Sequence, residues 1–162
     1  MEELTPIKRH KAMVSFSKDH HFGLLLVWKI RQGLNKNIEI NRISQYVLFF
    51  FTEDLIKHFK DEEALLFSEL PKEDLLRKMA ESEHQNIYRL VRAIEENKNS
   101  TSLLLELADA LEKHIRFEER SLFNHLQSTI GEQALEVIEK RISNGDGNLD
   151  AKWEDHFWTS KN

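Results

Sequence analysis

Two decapeptides in this chain carry the same reactive side chains at the same spacing. His58-Phe-Lys-Asp-Glu62-Glu63-Ala-Leu-Leu-Phe67 and His114-Ile-Arg-Phe-Glu118-Glu119-Arg-Ser-Leu-Phe123 align without gaps and share the histidine, both glutamates, a leucine and the phenylalanine. Residues four apart on a helix lie on one face with Cβ atoms about 5–6 Å apart. Each His-x-x-x-Glu pair can therefore offer an imidazole nitrogen and a carboxylate to one cation, or reach with the glutamate to a second. A weaker echo precedes each decapeptide: Asp19-His20 followed by Leu24 and Val27, and Glu83-His84 followed by Ile87, Tyr88 and Val91. The chain is patterned as a helical hairpin used twice. Imidazole and carboxylate suit non-haem iron, and zinc or manganese accept the same donors.

One histidine on an apolar helix face is more often a satisfied core or surface group than a ligand, and a glutamate at i+4 is usually a solvated partner for lysine. The elements that carry these residues decide between the readings. Apolar residues recur at helical spacing in four long stretches. The expected helices run from about Ser17 to Leu34, Asn41 to Phe67, Lys72 to Glu96, and Ser100/Thr101 to Gln127. The breaks fall at Asn35-Lys36-Asn37, ahead of Pro71, and at Asn97-Lys98-Asn99-Ser100, all suited to ending or capping a helix. A short fifth helix, about Glu132 to Ile142, should stop at Asn144-Gly145. Trp153, Phe157 and Trp158 in the remaining tail should fold back over the bundle. Helices of similar length with short connections alternate in direction, so the expected fold is all-α: an antiparallel up-down four-helix bundle forming one domain over 1–162, its core at about 12–129.

That fold puts the histidines at one level. His20 lies about 15 residues before the first turn and His58 about 17 after it; His58 and His84 are each about 11 from the second turn, and His84 and His114 about 13 from the third. At about 1.5 Å rise per residue the worst mismatch is about 3 Å. Four inward histidines in one layer, two of them with glutamates, are hard to bury without a cation to supply the missing charge.

Composition narrows the alternatives. The 162 residues include no cysteine, which excludes disulfides, thiolate zinc or iron–sulfur sites and thiol catalysis. A net charge of -5 gives no basic footprint for nucleic acid. The longest strongly apolar run, Val47 to Phe51, is far short of the roughly 20 residues a membrane span needs, and no signal pattern opens the chain, so a cytoplasmic protein is expected. A ferritin-like set would need Glu-x-x-His on two helices; Glu81 and His84 supply one, but Leu111 stands where the second glutamate would be.

The order His, His-x-x-x-Glu, His, His-x-x-x-Glu on successive helices resembles the hemerythrin-like, or HHE cation-binding, family over roughly Lys8 to Phe123. The resemblance implies that His20, His58, His84 and His114 are terminal ligands and that Glu62 and Glu118 bridge two Fe ions, with room for an oxo or hydroxo bridge. Oxygen-carrying hemerythrins place a further histidine four residues after the one on helix three; here Tyr88 stands at that position. Two histidines per iron and one open position each bring the chain closer to di-iron proteins of nitric oxide defence and iron–sulfur cluster repair. Those often carry a cysteine-containing N-terminal domain, whereas these 162 residues contain no cysteine.

Several neighbours have two readings. Tyr88 could hydrogen-bond a bound molecule, although a core aromatic is the better reading. Gly23 leaves space either for a diatomic ligand or for close helix packing. His20 shares a stripe with Phe16, Leu24, Val27 and Leu34 and is preferred to His21 as a ligand. Glu63 and Glu119 should face outward or bond groups around the ligands. His125 lies about 16 Å beyond His114 and cannot join the layer. His10 and His156 are expected outside the core, and Ile7-Lys8-Arg9-His10-Lys11 reads as a solvated lead-in to helix one. Three functions fit: a di-iron protein that handles or senses O2, NO or iron; a di-iron oxidoreductase acting on NO or peroxide; and a helical interaction module with a structural or vestigial site.

Overall fold

The structure, a computed structural model, describes residues 8–142 and 149–159. The expected helix stop at Asn144-Gly145 and the Ile7 end of the basic run lie outside them. All regular structure among the described residues is helical.

Helix α1 spans Lys11–Asn35, beginning earlier than the periodicity suggested. The His10 side chain accepts from the Ala12 amide at 2.9 Å and caps it, and Ala12, Met13 and Phe16 are buried along its first turns. The chain turns at Asn37, whose left-handed φ of 58° suits asparagine. Helix α2 then runs through Ile40–Phe50, Phe51–Leu55, Ile56–Asp61 and Glu62–Leu66, closing with a tight turn at Phe67–Glu69 before extended Leu70 and Pro71. Helix α3, Leu75–Glu96, starts three residues later than expected because the Asp74 side chain caps it, accepting from the Leu76 and Arg77 amides at 3.0 Å each. Helix α4 starts at Thr101 under the Ser100 cap, and continues through Thr101–Phe117, Glu118–Leu122 and on from Phe123. It reaches beyond Gln127 to Gly131, whose φ of 80° breaks the helix and suits a residue without Cβ. Residues 132–141 form α5.

Apolar side chains divide into two clusters. The larger contains Leu26, Val27 and Ile30 of α1, Tyr46, Phe50 and Phe59 of α2, Ile87 and Val91 of α3, and Leu104 to Ile115 of α4. The smaller contains Met13 and Phe16, Leu66 and Phe67, Ala80, and Leu122 and Phe123, with Leu135 and Ile138 of α5 covering it. Along α1 and α3 the chain leaves the smaller cluster and enters the larger; along α2 and α4 it meets them in reverse order. On every helix the histidine lies where the chain passes between the clusters.

The tail folds back as expected. Phe157 and Trp158 are buried in the larger cluster, and Trp153 stacks on Phe49 with centroids 4.7 Å apart. Periodicity gave no hint of what anchors this tail. Lys29, buried on α1, donates to Asp150 Oδ2 at 2.7 Å and to the Tyr46 hydroxyl at 2.9 Å, and its ammonium lies 4.0 Å from the Trp158 ring centroid. Burying that charge is tolerated because an acid, a hydroxyl and an aromatic face surround it.

Candidate metal centre

The layer between the clusters is polar and buried. His20, His58, Glu62, His84, His114 and Glu118 are each at most 5% exposed, and they are drawn from all four long helices. Their inward atoms form two overlapping groups: His20, His58, Glu62 and Glu118 offer donor atoms all within 4.8 Å of one another, and so do Glu62, His84, His114 and Glu118. The two glutamates belong to both groups. Thus the first hairpin contributes the histidines of one group, the second hairpin those of the other, and the carboxylates are shared.

The contacts inside the layer are short. His58 Nε2 is 2.7 Å from Glu62 Oε1, His114 Nε2 is 3.0 Å from Glu118 Oε1, and His20 Nε2 is 2.9 Å from the same Glu118 oxygen. His84 Nε2 stands 3.7 Å from Glu62 Oε1. Of these contacts the one between His20 Nε2 and Glu118 Oε1 is a hydrogen bond; the others are not. Among the described residues, nine buried side-chain atoms have no hydrogen-bond partner, and six are here: Nε2 of His58, His84 and His114, both Glu62 oxygens and Glu118 Oε2. Orphaned buried polar atoms are costly, and their convergence is the arrangement a bound cation requires of its ligands. The donors present therefore fit a metal pair.

The opposite ring nitrogens are all occupied. Nδ1 of His20 meets Glu119 Oε1 at 2.9 Å, that of His58 meets Asp19 Oδ2 at 3.0 Å, that of His84 meets Glu63 Oε1 at 3.1 Å, and that of His114 meets Glu83 Oε1 at 2.7 Å. Glu63 and Glu119 thus bond the histidines themselves, whereas the sequence suggested that they face outward or bond groups around the ligands.

Charge follows from this packing. Burial alone would lower each of the four histidines, but the carboxylates around them win: His20 and His84 are raised, His58 is raised well above its ordinary value, and His114 is raised to about 10. Burial would raise Glu118, yet His114 and His20 hold it well below the usual carboxylate range. Without metal, protons on the imidazoles supply the positive charge; protons and cations compete for the same atoms.

The backbone departs from the α-helical period at the shared glutamates. Glu62–Leu66 and Glu118–Leu122 are π-helical, closed by bonds from the Phe67 amide to the Glu62 carbonyl and from the Phe123 amide to the Glu118 carbonyl. Such wide turns are common at functional sites. Here they bring the phenylalanine five residues on round to the histidine layer: Phe67 stacks on His84 at 5.3 Å, and Phe123 on His20 at 5.2 Å. The sequence signal was present in the paired apolar residues at i+4 and i+5, Leu66-Phe67 and Leu122-Phe123, which a regular helix would not place on one face.

The neighbouring ambiguities separate cleanly. His20 is buried in the layer, while His21 is exposed. Gly23 is a packing position: a Cβ there would lie 2.7 Å from Ile115 Cδ1. Tyr88 is half-buried and packs edge-on against Phe51 and Phe59, as a core aromatic does; burial is the first cause raising its hydroxyl, with Glu63 and Glu62 adding to it. His125 bonds the helix-capping Asp74 at 2.7 Å, His10 caps α1, and exposed His156 stacks on Trp158. Glu81 pairs with Arg77 at 3.5 Å and takes no part in the layer.

A family model described as hemerythrin HHE cation binding domain matches residues 13–143. Comparison with curated proteins and with solved structures returned no match. Among the described residues no helix is long and apolar enough to cross a membrane.

Proposed function

The chain belongs to the hemerythrin HHE cation-binding domain family, and from that premise we propose that it is a non-haem di-iron protein that handles or senses a small ligand such as O2 or NO, or iron itself. The observation that carries the reading is the pair of overlapping donor groups with orphaned inward atoms. His20 and His58 would hold one iron, His84 and His114 the other, and Glu62 and Glu118 would bridge them. With this goes the antiparallel, up-down order of the four helices, supported by the reversed order in which alternate helices meet the two apolar clusters. When bound, the iron pair supplies reversible ligand binding and one-electron redox chemistry; zinc or manganese would fit the same donors without supplying the same redox range.

The chain's own residues hold, orient and seclude. Phe59, Phe67 and Phe123 stack on the imidazoles and keep water from the layer. The second reading, an oxidoreductase acting on NO or peroxide, including iron–sulfur cluster repair, is favoured by Tyr88: it packs among phenylalanines and leaves each half-site with two histidines.

Metal analysis after purification from iron-replete cells, together with near-ultraviolet absorption for a bridged ferric pair, tests the proposal. About two irons per chain are expected, lost in His58→Ala or Glu118→Ala. A protein that takes up no metal, and whose stability those substitutions leave unchanged, would instead be a helical interaction module with a vestigial site. Metal-dependent consumption of NO or peroxide would select the oxidoreductase.

A further inference from the structure

The four carboxylates outside the layer are arranged as a closed circuit. Asp19 on α1 bonds His58 on α2, Glu63 on α2 bonds His84 on α3, Glu83 on α3 bonds His114 on α4, and Glu119 on α4 bonds His20 on α1. Every long helix gives one carboxylate to the next and receives one from the previous. Its position also alternates: it precedes the histidine on α1 and α3 and follows the shared glutamate on α2 and α4. Four ion pairs scattered by surface packing would have no reason to close in this way or to choose Nδ1 every time.

Resting on the di-iron reading above, we infer that Asp19, Glu63, Glu83 and Glu119 are positioning residues for the metal pair, fixing each imidazole with its lone pair inward and biasing the centre toward trivalent ions. A neutral imidazole carries one N–H, and a carboxylate only accepts; the Nδ1 proton therefore points outward and Nε2 is left free to ligate. Because each acceptor comes from the neighbouring helix, the ring plane is fixed by the bundle rather than by the histidine's own helix. Charge adds a second consequence. Glu62, Glu118 and the outer four make six carboxylates around four neutral rings. Two divalent ions leave negative charge in surplus, whereas two trivalent ions match it. The outer carboxylates are 22–39% exposed, so water screens each one, and the least exposed should act most strongly.

Amide variants separate charge from hydrogen bonding, since glutamine and asparagine keep a carbonyl acceptor. The full chain, loaded with iron, would be compared with Asp19→Asn, Glu63→Gln, Glu83→Gln and Glu119→Gln for iron content, near-ultraviolet absorption and midpoint potential. Each amide variant should retain two irons while its potential moves positive, most in Glu83→Gln, whose contact is shortest and whose side chain is least exposed. Glu132→Gln, which alters an exposed pair with His10 far along the sequence from the layer, should leave the potential where it was. Alanine at Glu83 should weaken iron binding by about 10–100-fold, and aspartate should partly restore it. Two irons in the wild type with unmoved potentials and affinities in the variants would overturn the inference alone. A wild type that takes up no iron would overturn both it and the function on which it rests.

Discussion

The two halves of the centre share their donors and differ in their packing. His84 lies almost parallel beneath Phe59, centroids 3.9 Å apart, with Phe67 stacked beyond it. His20 has only Phe123 stacked on it, and the position matching Phe59 is Ile115, whose terminal methyl occupies the space that Gly23 leaves open. On α3 the position matching Gly23 is Ile87, buried in the larger cluster. Gly23 on α1 opposite Ile115 on α4, beside His20, thus answers Ile87 on α3 and Phe59 on α2, beside His84. Coordination chemistry tolerates few donor sets, so the histidines and glutamates repeat. Packing asks only that volume be filled, so the apolar residues around them differ.

Removing a shared carboxylate should erase the distinction between the halves. Glu62→Ala or Glu118→Ala is expected to lose both irons by elemental analysis; retention of one would mean that the halves bind independently. Next in size come the single-histidine variants. His20→Ala and His84→Ala should each lose at least one iron, and in metal-free protein His84→Ala should be the less stable by about 1 kcal/mol, because it forfeits the closer aromatic stack. Equal thermal midpoints would show that the extra phenylalanine contributes nothing.

Acidity offers a third probe. In metal-free protein all four histidines lie above their ordinary value of 6.5, His114 at about 10. Their stabilising contribution is complete below the unfolded value and is lost as pH rises through the folded ones. The melting temperature of the metal-free form should therefore fall from pH 7 toward pH 10, and bound metal should cancel that fall. Glu118 acts in the opposite range: held low, it stabilises above its unfolded value and loses that contribution on acidification. Metal uptake at neutral pH should release protons, measurable with an indicator dye.

The smallest expected effect concerns the glycine. Gly23→Ala gains about 1 kcal/mol of helix propensity and spends a similar amount moving the Ile115 methyl, so it should be close to neutral. Adding Ile115→Val, which removes that methyl, should leave the alanine without a clash. At Gly33 the same change meets Phe157 and two Ile43 atoms at 2.7–2.9 Å and should cost about 1–3 kcal/mol.

Much of this is legible in the sequence. Equal spacing from the turns places His20, His58, His84 and His114 in one layer, and the apolar stripe through Phe16 and Val27 distinguishes His20 from exposed His21. Helix starts were less legible because caps depend on single side chains: Asp74 delays α3 by three residues, while His10 advances α1. The pairing of Glu83 with His114 joins residues 31 apart across two helices and has no local signature. Lys29 was hidden for the same reason, since its acid, Asp150, arrives from the far end of the chain.

The wide turns at Glu62 and Glu118 fall at the same point of each hairpin, and with them the molecule is a repeat in backbone as well as in sequence. One hairpin carries two histidines, one shared glutamate, two outer carboxylates and the backbone bulge that aims a phenylalanine at the layer. Two identical copies of such a hairpin, associating about a dyad, already hold every donor that the present chain supplies. Joining them in one chain adds not the donors themselves but the freedom for the two halves to differ, as Gly23 and Ile87 do.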